Sequence, residues 1–133
     1  MQNNPVGKTS FLNLDSNVAA LLCYILTPCC LLGLILSLIL YFTEKENRFV
    51  RFHAMQELLL VGIGFCFGVV FGILARLMIV SDAGILVLGL LGLRIIIGLI
   101  FLAIYVFAGI QAYQNKWFKL PIIGDMAEKW SNA

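Results

Sequence analysis

His53, Gln56 and Glu57 lie at i, i+3 and i+4, so on a helix their polar groups can meet. A histidine titrates near neutrality, and a carboxylate beside it is the smallest unit of general acid–base chemistry. The set is incomplete as a catalytic centre. His53 is the only histidine of the chain, no nucleophile is placed beside it, and no second carboxylate converges on it. These side chains are therefore expected to form a polar cap that ties the start of a helix to the C-terminal tail. The protein is expected to have no enzymatic activity and no cofactor.

The cysteines offer no metal site. Cys23, Cys29, Cys30 and Cys66 all fall in apolar runs without a C-x-x-C pair, and neighbouring Cys29 and Cys30 point to different helix faces. Metal binding needs convergent ligands. All four read as small buried hydrophobes, neither metal-bound nor disulfide-bonded.

Arg94 is the remaining group of chemical interest, because an arginine inside a membrane span costs about 2.5–3.5 kcal/mol at the centre. A helix starting near Gly89 places Arg94 shallowly, level with Arg76, where it can snorkel or pair with Asp82. A helix starting at Gly84 places it deeper, on a polar pathway or at a lipid headgroup site. The shallow placement is the one favoured here.

The elements that hold these residues are apolar. Of 133 residues, 62% are hydrophobic and 12% charged, with a formal charge of +2. A globule of this size cannot hide so much apolar surface, so lipid must solvate its outer faces. The small charge, sited at the ends of apolar runs, argues against nucleic acid as a partner. The expectation is an all-α integral membrane protein with spans at about 17–42, 54–76 and 85–112. A polar arm, 1–15, precedes this single helical domain, 16–130. Splitting the last interval would give a fourth span. The N-terminal segment does not read as a cleavable signal peptide.

Pro28 lies inside the first span, and its missing donor predicts a kink or local break in the turn from Tyr24 to Thr27. Asp15 or Ser16 is the expected cap of that helix. The charged segment 43–57 follows, with Asn47 as a cap and Phe49 to Gln56 as an amphipathic entrance to the second span. That span carries Gly64-x-x-x-Gly68-x-x-x-Gly72, a groove for close backbone approach in lipid. Another helix of the same chain, or a second copy, could fill it. Ala108, Gly109 and Ala112 give the third span its own small face. In the tail, 113–130, Tyr113, Trp117, Phe118 and Trp130 alternate with lysines, a pattern for the headgroup layer. Gly124 and Asp125 suggest a last short helix. Three spans with the positive-inside rule place the N-terminus outside and the charged segment and tail in the cytoplasm, across the bacterial inner membrane.

The string Phe49-Val-Arg-Phe-His-Ala-Met-Gln56 between two spans, followed later by Lys119-Leu-Pro-Ile-Ile-Gly124, resembles the paired hallmarks of a group of small prokaryotic membrane proteins. The group includes the magnetosome proteins of the MamF/MmsF type and extends to Tic-twenty-like import components of chloroplasts. The resemblance implies three or four membrane helices and no established enzymatic activity. It points to a subunit or scaffold within a membrane protein complex or homo-oligomer, or else to a component of a translocating or conducting assembly. The outer loop offers a single acid, Asp82, which argues against a mineral-facing surface. Candidate contacts to a partner are Phe49, Arg51, Phe52, His53, Gln56, Glu57, Pro121 and Gly124. Gly64, Gly68 and Gly72 would pack helices, and Arg94 is the intramembrane polar residue. Membrane lipids are the other expected partner.

Overall fold

The computed structural model describes residues 7–132. The first six residues of the expected polar arm lie outside the described residues. Five helices follow in order: α1 (Ser16–Cys30), α2 (Leu32–Thr43), α3 (Arg48–Val80), α4 (Gly84–Tyr113) and α5 (Ile123–Ser131).

The expected first span is replaced by two helices folded back on each other. Pro28 sits inside α1 near its end, and without an N–H it weakens the last turn. Leu31 then enters the left-handed region at φ 57°, its N–H bonded to the Thr27 carbonyl, and α2 starts at the next residue. Gly33 makes the reversal possible. A Cβ there would lie 2.5 Å from the Cys23 carbonyl oxygen, so only glycine lets the two helices approach so closely. The expected break is present but falls at Leu31, beyond the expected turn from Tyr24 to Thr27, and it reverses the chain. At 1.5 Å per residue α1 and α2 reach about 22 and 18 Å, short of the roughly 30 Å hydrocarbon core.

The hairpin lies along the first half of a longer pair. α3 and α4 are the two helices long and apolar enough to cross a membrane. α3 runs without interruption from the charged segment into the apolar span, as the entrance pattern predicts. Asn47 caps it by accepting from the Val50 N–H at 3.3 Å. The turn at Ser81-Asp82-Ala83 is closed by Asp82 in the left-handed region at φ 58°. α4 then covers the expected third span and begins at Gly84. That is the helix start from which the deeper placement of Arg94 was expected, and Arg94 lies ten residues into the helix, about 15 Å from its end.

Packing divides the molecule at one level. Every buried residue of α3 lies between Phe49 and Leu60, and every buried residue of α4 between Tyr105 and Ala112. Most of this near half forms one core with Ala19, Ala20, Cys23 and Tyr24 of α1, Leu40 of α2 and Leu120 of the tail, while Phe52 and Met55 form a second, smaller cluster with Ala127 of α5. The small face of α4 is used here: a Cβ at Gly109 would meet Leu21 at 3.2 Å and Tyr24 at 3.4 Å. Beyond that level α3 and α4 expose apolar side chains throughout, up to Val80 at 86% and Ile85 at 83%. The glycine groove is filled only at its base. Gly64 faces Phe101 of α4 at 3.6 Å, whereas Gly68 and Gly72 have nothing within 4 Å.

The start of α1, the end of α2, the start of α3 and the end of α4 all meet at the near end. Asn47 Nδ2 donates to Ser16 Oγ at 2.6 Å, and Asn17 Nδ2 donates to the Tyr113 carbonyl at 3.1 Å. The described N-terminal residues and the tail thus share one end. Asp15 occupies the N-cap position of α1 without a side-chain hydrogen bond. Ser16 instead donates to the Gly7 carbonyl at 2.6 Å, closing a small loop.

Candidate functional site

The near end is held by a buried hydrogen-bonded chain that begins at the histidine. His53, Gln56 and Glu57 are all 0% exposed. His53 Nε2 lies 3.2 Å from the Lys116 carbonyl and Nδ1 lies 3.2 Å from the Tyr24 hydroxyl. A carbonyl only accepts, so Nε2 carries the hydrogen and Nδ1 accepts from Tyr24. The Tyr24 oxygen in turn accepts from Gln56 Nε2 at 3.0 Å. The second amide hydrogen of Gln56 goes to the Phe118 carbonyl at 3.2 Å, and its oxygen accepts the Leu120 N–H at 3.1 Å. Two helical side chains thereby fix three consecutive alternate residues of the tail, 116, 118 and 120, and bind them to α1.

Aromatic rings seal this chain. Phe49 and Phe52 flank the His53 ring edge-on, with centroids 4.6 and 5.1 Å away. Both also meet Trp117, at 5.5 and 5.3 Å. The polar cap expected from the spacing is present, but Glu57 takes no part in tying down the tail. Its Oε1 lies 2.5 Å from Thr27 Oγ1 on α1, which also lies 2.9 Å from the Cys23 carbonyl. Glu57 and Cys23 both interact with the buried Ser37 hydroxyl of α2, although no hydrogen bond of good geometry forms at Glu57 Oε2 or Ser37 Oγ among the described residues. Glu57 therefore sits between α1 and α3 at the level where tight packing ends.

Burial changes the reading of the candidate contacts. Phe49, Phe52, His53, Gln56 and Glu57 are buried within this chain. Arg51 is half-buried, with its guanidinium 4.9 Å above the Tyr41 ring. Tyr41 donates to the Trp130 carbonyl at 3.1 Å, so this stack joins α2 and α3 to α5. Gly124 is buried, and a Cβ there would lie 2.5 Å from Lys119 Cβ. Pro121 is exposed. It starts a tight turn in which Ile123 N–H reaches the Pro121 carbonyl at 2.7 Å, and the central residue, Ile122, is forced to φ 68° while 81% exposed. Next to it Lys119 pairs with Glu128 at 2.5 Å and Asp125 at 3.6 Å. The Glu128 carboxylate, foremost, holds the Lys119 ammonium above its usual range.

Sequence reasoning missed Tyr24, Thr27, Ser37 and Glu44. Glu44 is buried and accepts from Ser10 Oγ at 2.7 Å and the Phe11 N–H at 3.1 Å, holding the N-terminal loop. The one available signal was polar residues recurring within otherwise apolar helices. The cysteine expectation holds only for Cys23; Cys29, Cys30 and Cys66 are exposed, and all four are free thiols. Among the described residues no group of side chains is arranged to hold a metal ion.

Arg94 lines a cleft of about 400 Å³ between α3 and α4, just beyond the hairpin tip. Its other walls are Leu31, Gly64, Phe67, Gly68 and Phe101, with Thr27 and Tyr105 at the near-end side. Among the described residues no ion pair joins Arg94 to Asp82.

An all-helical chain with two helices of spanning length, apolar outer faces and a polar lock at one end defines a small membrane protein. The chain belongs to the magnetosome magnetite crystal formation protein family, MamF/MmsF, which it matches over residues 15–127. It is 36% identical over 126 residues to a UPF0132 membrane protein of Methanocaldococcus jannaschii, covering 95% of this chain and 96% of the relative. A UPF0132 membrane protein of Archaeoglobus fulgidus is 34% identical over 116 residues, covering 87% and 95%. A second such protein of M. jannaschii is 31% identical over 119 residues, covering 90% of this chain and 72% of its own length. No solved structure matches the chain.

Proposed function

We propose that this protein is a non-enzymatic integral membrane subunit that assembles with other subunits or with copies of itself. One observation carries the reading: all burial is confined to the near half, while the far half of α3 and α4 is apolar and uncovered within the chain. Such faces need lipid or another protein. The polar groups support a structural role, since each hydrogen-bonding atom of His53 and the Gln56 amide is already committed to this chain.

The near end faces the cytoplasm across the cell's inner membrane. Seven of the nine basic residues, Lys8, Lys45, Arg48, Arg51, Lys116, Lys119 and Lys129, lie there, and only Arg76 and Arg94 lie beyond. That asymmetry is wider than three spans would give. The hairpin of α1 and α2 enters the bilayer and returns to the same side. The exposed Arg48, Pro121, Ile122 and Trp130 form the cytoplasmic face available to a partner.

The reading is tested by mass measurement on the protein extracted with its native bilayer in polymer discs. A defined complex, larger than one 14.8 kDa chain, is expected. A population consisting only of single chains would overturn it. A translocating or conducting assembly is the second reading, favoured by the placement of Arg94 in a cleft within the apolar half. Its test is ion or substrate flux in vesicles, with Arg94→Leu abolishing the flux.

A further inference from the structure

The cleft between α3 and α4 carries one charge in a setting that has no answer for it. Its volume is about 400 Å³, and its walls are apolar and aromatic apart from Thr27, Tyr105 and Arg94. Among the described residues no carboxylate lines it. Glycines at 64, 68 and 98 give it depth, and a Cβ at Gly68 or Gly98 would meet nothing within 4 Å. The cleft exists because the hairpin stops short. α1 and α2 join at Leu31, at the cleft floor, and past that point nothing among the described residues wedges between the long helices.

Two demands fall on whatever fills this space. It must be apolar along Phe67, Phe71 and Phe101, and it must present a negative group to Arg94. An arginine about 15 Å from the end of its helix is costly without a counter-charge, and guanidinium recognises a phosphate oxygen pair better than any other common lipid group. Arg76 provides an internal comparison. It is also exposed and also in the far half, but it lies only four residues from the end of α3, at headgroup depth, and does not line the cleft.

We propose that the cleft is a lipid site that selects an anionic phospholipid, with an acyl chain between Phe67, Phe71 and Phe101 and the phosphate drawn to Arg94. The bound lipid replaces the missing third helix of the far half and neutralises its cation. Anionic headgroup charge is what the site selects for, and zwitterionic lipids pair with it less well because their own ammonium competes.

The test is native mass spectrometry of the full chain released from vesicles of equimolar phosphatidylglycerol and phosphatidylcholine. The wild type is expected to retain one phosphatidylglycerol per chain in preference to phosphatidylcholine. Arg94→Gln should reduce that preference about tenfold, the loss of one charge-assisted contact, and Arg94→Lys should keep part of it. Arg76→Gln should leave it unchanged. Gly68→Phe, which places a ring in the cleft from a position where a Cβ meets nothing within 4 Å, should release both lipids. Retention in proportion to vesicle composition would overturn the proposal. So would an equal loss from Arg76→Gln, which would mean general surface attraction. Disulfide crosslinking between two Gly68→Cys chains in the membrane would also overturn it, since a second copy would then occupy the cleft. Arg94→Lys guards against a folding failure: a folded Lys variant with no residual preference over Gln contradicts the role of charge.

Discussion

Replacing Gln56 by Leu removes three hydrogen bonds while nearly preserving volume. The lost partners are the Tyr24 hydroxyl at 3.0 Å, the Phe118 carbonyl at 3.2 Å and the Leu120 N–H at 3.1 Å. Intramolecular hydrogen bonds contribute about 1 kcal/mol each, and a buried amide left unpaired costs about 1–3 kcal/mol more. Measured polar contacts within bilayers average about 0.6 kcal/mol, which sets the low end. Added apolar burial by leucine offsets about 1 kcal/mol. The net expectation is a destabilisation of about 2–4 kcal/mol, concentrated where the tail meets α3. Hydrogen exchange in micelles resolves that location. The Leu120 amide should exchange at least about thirtyfold faster, corresponding to about 2 kcal/mol, while amides of α4 near Ala108 keep their protection. Tyr24→Phe should weaken the same amide less, and the double variant should be less than additive because both residues belong to one chain of bonds. Unchanged protection at Leu120, with unfolding stability within about 0.5 kcal/mol of wild type, would refute the lock.

Gly33→Val should prevent the α1–α2 reversal, because its side chain would run into Thr27 and the Cys23 carbonyl; a loss of more than about 3 kcal/mol or failure to fold is expected, read by denaturation in detergent. Gly68→Leu should leave the stability of the single chain within about 0.5 kcal/mol, since that position faces open space; a large loss in the same assay would mean that the groove packs within the chain. Ile122→Gly should raise stability by about 0.5–1 kcal/mol by relieving a positive φ in an exposed β-branched residue. If the substitution instead weakens binding of a partner to the near end, the exposed isoleucine is retained for contact.

The long helices were legible because their signals are local. Ser81-Asp-Ala-Gly84 marked the turn, Asn47 marked the cap, and the Gly124-Asp125 pair marked α5. The clustering of His53 and Gln56 against the tail was legible from helical spacing and from the aromatic residues on both segments. The hairpin was not. Its apolar run, 17–42, has the length of a span, and proline alone more often bends a membrane helix than reverses it. What tips the balance is Gly33 against Thr27 and Cys23, a contact that appears only once the chain has already turned. Tyr24 and Thr27 were hidden for a related reason. Their partners are about thirty residues away in sequence, and neither falls in a charged or motif-like stretch. The depth of Arg94 rested on where α4 begins, a boundary that the run of leucine, isoleucine and glycine from 84 to 93 leaves open.

Whether residues 16–43 enter and leave on one side can be read from the accessibility of a single thiol. With Cys23, Cys29, Cys30 and Cys66 replaced by Ala, Ser10→Cys, Asp82→Cys and Asp125→Cys would each be exposed to a membrane-impermeant maleimide in intact cells and in inverted vesicles. The hairpin predicts that positions 10 and 125 label together from the cytoplasmic side and that position 82 labels from the opposite side. Labelling of position 10 from the same side as position 82 would contradict it and restore a complete first span.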